Sequence, residues 1–291
     1  EGPVIAQDSS SGILYCTFTE YDTSRYSALS GLLNAARKLI HEQDAWIDVR
    51  SKAQRGDALA RGKLIVAPAK ARPISVENSS LKALIKDVLI ECASQVLQNA
   101  AQLSSTEGGT PEHVHQLRIG LRRLRSAIKL FAPFVGDHVA AWESPAKLLA
   151  AGLGGNRDVD MMAESIWPQL QEIGAPLVEL PLHDDLLCPA DLIREKTVQQ
   201  WLLALLAFEL QGSGQIADGD WTKVLPLIQD WNDRCKKVAL RFDKLDAGRR
   251  HRLRKRFKRL RYALEFIASE LPSKRCARFN KALVGALDSL G

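Results

Sequence analysis

Seventeen residues beginning at His115, HQLRIGLRRLRSAIKLF, return at His251 as HRLRKRFKRLRYALEFI, displaced by 136 positions and identical at seven of the 17. Both copies carry apolar residues at helical spacing, so the chain has to accommodate two similar amphipathic helices, and half of a helical domain repeats. The spacing of the cations is just as restrictive. Counted from His115, Arg118, Arg122, Arg125 and Lys129 stand at +3, +7, +10 and +14. At about 100° per residue these five positions fall within an arc of roughly 80° and extend over about 21 Å. Leu117, Leu121, Leu124, Ile128 and Phe131 occupy a different arc, which is the core side. In the second copy His251, Arg254, Lys258 and Arg261 repeat the first four offsets, with Lys255 beside them.

Such stripes work against the helices that bear them, because like charges three or four residues apart cost a few tenths of a kcal/mol each. A helix that only needed solubility would interleave acids. Segments 115–129 and 249–262 together hold 14 of the 40 lysines and arginines and none of the 34 acids. The rest of the chain is net acidic although the whole carries +6. An acidic body with two basic stripes points to a locally held anionic partner. His115 and His251, in line with arginines in both copies, are expected to contact that anion. Arg125 and Arg261 suit bidentate phosphate recognition, and Lys129 and Lys258 act as point charges. Arg123 and Arg259, at +8, lie off the arc and are expected as surface or rim residues of second rank. Tyr262 either offers its hydroxyl to the anion or is a core tyrosine, and Glu265 is expected as a structural ion-pair partner. In LGGNRDVDMM (153–162), Arg157 stands at an expected helix start, where backbone N–H groups favour anions, or pairs with Asp158. His113 and His115 would point about 200° apart on a helix, which argues against a metal pair.

The remaining sequence excludes several classes. At 46% apolar and 25% charged, 291 residues can bury a core. No run approaches the roughly 20 apolar residues that span a bilayer, and Glu1-Gly2-Pro3 lacks the layout of a secretory signal. The five cysteines are scattered without a CxxC pair, which argues against disulfides and zinc and fits a reduced cytosol. GILYCTFTEYD (12–22) predicts a strand and residues 25–43 a helix. Residues 67–79 predict a linker. From residue 80 only helical patterns follow, over about 80–103, 111–132, 139–152, 156–171, 190–211, 220–246, 248–270 and 274–290. Pro111 suits a first helical turn, Asn156 an N-cap, and Pro168 a helix end or kink.

These residues resemble the CHAD family, the conserved-histidine α-helical domains, through VHQLRIGLRRLRSAIKLF (114–131), LGGNRDVDM (153–161), HRLRKRFKRLRYALEF (251–266) and LVGALDSLG (283–291). The resemblance implies an all-α fold over 80–291, a pair of four-helix bundles related by an approximate two-fold axis. It also implies a basic central cleft that binds inorganic polyphosphate without catalysis, cofactor or metal, in the cytoplasm and in association with polyphosphate granules. Two departures stand out. The family pattern continues past the closing Leu-Gly, so this chain is expected to stop short of it, and Lys258 stands where the first copy has Arg122. Residues 1–66 resemble the C-terminal part of a CYTH domain, through the strand–helix piece and SKAQRGDALARG (51–62). CYTH enzymes hydrolyse triphosphates with an ExExK strand, which is absent, so a partial α+β remnant is expected. Two rivals remain: a triphosphatase-accessory role for that remnant, and nucleic-acid binding, which usually adds stacking aromatics that the 115–129 face lacks. Oligomeric state is left open.

Overall fold

The computed structural model describes residues 25–74, 80–154, 167–174, 176, 188–211 and 216–289. The strand expected at 12–22, the N-cap expected at Asn156 and the candidate Arg157 lie outside them. Its α-helices are α1 (Arg25–Gln43), α2 (Lys52–Ala60), α3 (Leu81–Ser104), α4 (Pro111–Leu130), α5 (Asp137–Ala140), α6 (Glu143–Gly152), α7 (Trp167–Glu172), α8 (Pro189–Arg194), α9 (Lys196–Gln211), α10 (Trp221–Ala239), α11 (Ala247–Phe266) and α12 (Ser273–Ser289). Among the described residues there is no strand, only an isolated antiparallel bridge between Val135 and Ile216. The all-α expectation holds. No helix among the described residues is long and apolar enough to cross a membrane.

Local chemistry sets the helix starts. Ser80 accepts from the Ala83 N–H and starts α3. Pro111 opens α4, where its missing N–H costs nothing, and the His113 ring accepts from the Thr110 N–H at 3.1 Å. Asp246 accepts from the Arg249 N–H at 2.7 Å and puts a carboxylate at the positive end of α11, a helix otherwise crowded with cations. The 190–211 pattern divides at Glu195, whose backbone is extended (φ −51°, ψ 133°) and separates α8 from α9. The Gln199 side chain spans that break and donates to the Ile193 carbonyl at 2.9 Å.

One continuous core joins both halves. Leu84, Leu89 and Val96 of α3 and Leu117, Leu121 and Leu124 of α4 are fully buried in it, together with Leu260, Ala263 and Phe266 of α11. Burying each large apolar side chain contributes about 1.5–3 kcal/mol, so the cationic helices are fixed by their opposite faces. The approach of α3 to α4 is set by Gly120, where a Cβ would stand 3.1 Å from Val96 Cγ2 and 3.3 Å from Gln95 Cγ. Displacing α4 by the repeat distance of 136 residues lands on residues 247–266, the bounds of α11. The same displacement carries α3 onto α10 and α6 onto α12.

The halves differ in what covers them. In the first, α9 packs on α3 and α6. In the second, a groove of about 300 Å³ lies between α10, α11 and α12, lined by Leu225, Leu264, Leu271 and Phe279. Leu89, the counterpart of Leu225, is fully buried, whereas Leu225 is 46% exposed.

The N-terminal residues lie against the helical body. Leu29, Leu33 and Ile40 of α1 pack on Leu203 and Ala207 of α9. Buried amides hold the irregular segments: Gln199 accepts from the Ile47 N–H, Gln102 from the Val66 N–H, and Asn99 both accepts from and donates to the Ala69 backbone. Arg72 pairs with Glu91 at 2.9 Å, and the Arg194 guanidinium lies over the Trp46 ring while donating to the Ser104 and Ser105 carbonyls. Residues 63–74 therefore form a strap along α3.

Candidate anion-binding face

Helices α4 and α11 pack against each other. Their apolar arcs meet the core, which leaves the cationic arcs half-exposed along the seam. Arg118, Arg122 and Arg125 on α4 and Arg254, Lys258 and Arg261 on α11 are partly buried, as is His115, and Lys129, His251 and Lys255 are exposed.

The electrostatics show which of these groups face one another. The Lys258 amine is held down to about 8, first by burial and then by the positive charges of Arg122, Arg254, Arg261 and Arg118. His251 is lowered by burial and by Lys255, Arg254, Lys258 and Arg122. Cations of both helices thus converge on one locus. Among the described residues no carboxylate pairs with Arg122, Arg254, Lys258 or Arg261. Arg118 donates to the Gly154 carbonyl at 3.2 Å, which ties α4 to the end of α6.

The far end of the first stripe is arranged differently. Arg125 donates from Nη2 at 2.8 Å and Nε at 3.1 Å to a single oxygen of Glu143, and Lys129 stands 3.3 Å from that oxygen. Arg125, then Lys129, hold the Glu143 carboxyl below its ordinary range despite partial burial. The fork geometry anticipated for phosphate at Arg125 is occupied by this acid. Arg259 lies with its guanidinium over the Trp231 ring, 5.6 Å from its centre, and is lowered by burial and by Arg125 and Arg256. It extends the cationic cluster toward Arg125.

Two second-rank candidates do not belong to the face. Arg123 is fully buried: it donates to Glu265 at 2.8 Å and to Gln95 at 2.9 Å, with its guanidinium 5.7 Å from the Phe266 ring centre. Neither surface nor rim, it locks α3, α4 and α11 together, with Glu265 as its structural partner. Its position at +8 falls beside Gly120 and Ala127, small residues that let α3 close over it, and Glu265 is the only acid of α11. Those two signals mark the lock in the sequence. Tyr262 is 2% exposed and belongs to the core, beneath the Arg261 guanidinium. His113 is buried at the start of α4 and His115 is half-exposed one helical face away, so the pair does not converge.

A separate cavity of about 470 Å³, lined by Arg37, Lys38, His41, Glu42 and Gln200, lies where α1 meets α9 and is remote from the face. Among the described residues no three His, Cys, Asp or Glu side chains gather as a metal site.

The comparisons agree with this architecture. The family model described as CHAD domain matches residues 87–291, well over half of the chain. Among solved structures, the crystal structure of the CHAD domain from the plant Ricinus communis superposes with a TM-score of 0.63 and 27% identity, over 77% of this chain and 78% of that one. No curated protein matches. The family match leaves residues 1–86 outside it, and the CYTH resemblance of residues 1–66 has no counterpart among these findings.

Proposed function

The chain belongs to the CHAD domain family, and from that membership and the α4–α11 face we propose that it binds inorganic polyphosphate, as a receptor and not as a catalyst. One observation carries the reading: Lys258 sits among Arg118, Arg122, Arg254 and Arg261 from two helices, and no described acid offsets it. Such a locus is costly while empty. A flexible anion with closely spaced charges relieves the repulsion at several points at once and releases its own counterions. A neutral ligand would relieve none of it. In this reading His115, Arg118 and Arg122 contact the chain from α4, and His251, Arg254, Lys255, Lys258 and Arg261 from α11. Arg259 flanks them, and Arg125 and Lys129 engage the ligand by leaving Glu143. Arg157 remains a candidate from its sequence alone.

Titration calorimetry with polyphosphates of defined length tests this. Wild type should bind, and Arg122→Ala combined with Arg254→Ala should weaken binding by at least tenfold at unchanged helicity. Single-stranded RNA at matched phosphate concentration should compete poorly, because the 115–129 cationic face offers no aromatic ring for bases to stack on. Full affinity in the double variant, or stronger binding of RNA, would refute the assignment.

A further inference from the structure

Lys258 is a primary amine at the centre of the convergent cations, half-buried between α4 and α11. From α4 it faces Arg118 and Arg122, and on its own helix Arg254 and Arg261 lie one turn to either side, with His251 beyond. Guanidinium groups of that kind recognise phosphoryl oxygens and cannot themselves act as nucleophiles. An amine among them can. We infer that Lys258 is a site of covalent acylation by acyl phosphates, whose phosphoryl group the surrounding arginines hold while the amine attacks the adjacent carbonyl. The inference rests on the anion-binding reading of the same face.

The step balances without any further reagent. The neutral ε-amine adds its lone pair to the carbonyl carbon of the mixed anhydride. The tetrahedral adduct then breaks its C–O bond, and inorganic phosphate departs with the bonding pair. The nitrogen gives one proton to solvent, and the products are an amide and phosphate. Neighbouring cations and desolvation are the two devices that activate a lysine for such chemistry. With its pKa held at about 8 in the empty protein, Lys258 keeps a larger neutral fraction near pH 7.5 than an ordinary lysine near 10.4, an advantage that a bound phosphoryl group reduces. The arginines also stabilise the charge that collects on the departing phosphate. The amide carries no charge, so acylation removes one cation from the face and weakens its hold on a polyanion.

The test is site-resolved mass spectrometry of the whole chain after exposure to acetyl phosphate at pH 7.5. The comparison residue is Lys255, exposed on the same helix. Lys258 should be acetylated at least about tenfold faster than Lys255. Excess polyphosphate should protect it, and Arg122→Gln should lower its labelling selectively. The N-hydroxysuccinimide ester of acetate, which lacks a phosphoryl group, should show a smaller preference for Lys258. Equal preference with both reagents would overturn the inference, because the amine would then be reactive without recognising phosphate. Labelling of Lys255 at the rate of Lys258 would overturn it as well. Calorimetry on the same samples separates the two levels. Polyphosphate binding without selective acylation sinks this inference alone, and selective acylation without polyphosphate binding sinks the polyphosphate reading alone.

Discussion

Lys258 and His251 are the residues at which pH should be felt. Both are lowered in the free protein, by burial first and by neighbouring cations second. A bound polyanion opposes those cations and raises both, so binding takes up protons and strengthens as pH falls. For Lys258 the strengthening sets in as pH falls through its bound-state value and is complete below about 8. His251 adds a further increment as pH falls through its own bound-state value. At pH 8 the calorimetric heat of polyphosphate binding should therefore change with the ionisation enthalpy of the buffer. Lys258→Arg keeps the charge but cannot titrate, and should remove most of that change. An unaltered buffer dependence in the variant would place the proton elsewhere. For the empty fold the sign is opposite. The folded Lys258 lies below an unfolded lysine, so its protonation costs stability as pH falls from about 10.4 toward 8.

At the scale of helices, the Arg123–Glu265 contact separates stability from binding. Arg123→Ala empties a buried site and takes the partner from Glu265, whose side chain is 36% exposed and can turn to water, so the loss should be about 2 kcal/mol. Urea denaturation should show that loss, whereas Arg122→Ala, one position away, should leave stability unchanged or raised because it relieves repulsion. Equal losses in the two variants would mean that the two arginines do the same work. Gly120→Val should also destabilise, because Val96 and Gln95 leave a branched side chain no room at the α3–α4 contact. Much of this scale was legible in advance. The periodicity and start signals located α3 and α4 to within two residues and the start of α11 to within one, although the 248–270 pattern ran four residues past its end at Phe266. The offsets from His115 and His251 picked out Arg118, Arg122, Arg254, Lys258 and Arg261, which converge. What could not be seen was set by long-range partners. The break at Glu195 is supported by the Gln199 side chain as α8 and α9 turn to separate faces. Residues 67–79 look like a linker because their prolines and small residues break every period. The described part, 67–74, is instead bound at the Ala69 N–H by Asn99, 30 positions away, and at the Arg72 N–H by Glu91, 19 positions away. The burial of Arg123 was marked only indirectly, by the small residues beside it and the single acid of α11, because the carboxylate that receives it lies 142 residues distant.

Across the whole molecule, two expectations follow from how charge and strap are distributed. Affinity for polyphosphate should fall linearly with ionic strength on logarithmic axes, and removing Arg122 and Arg254 together should flatten the slope by about two. A salt-independent affinity would contradict ion pairing as its source. Asn99→Ala with Gln102→Ala should speed hydrogen exchange at Val66 and Ala69 while the amides of α4 and α11 stay protected. Unchanged exchange at those two positions would show that the strap does not depend on the amides. Finally, the duplication is faithful in backbone and unfaithful in wiring. Under the 136-residue displacement, Arg123 becomes Arg259, Gln95 becomes Trp231, and Glu265 answers to Lys129. The lock that neutralises one arginine therefore has no twin, and Arg259 rests on an indole among like charges instead. A linear polyphosphate reads the same from either end, but the α4–α11 face does not. Held here in slow exchange, its two terminal phosphorus nuclei would lose their equivalence, and one resonance in solution should become two on the protein.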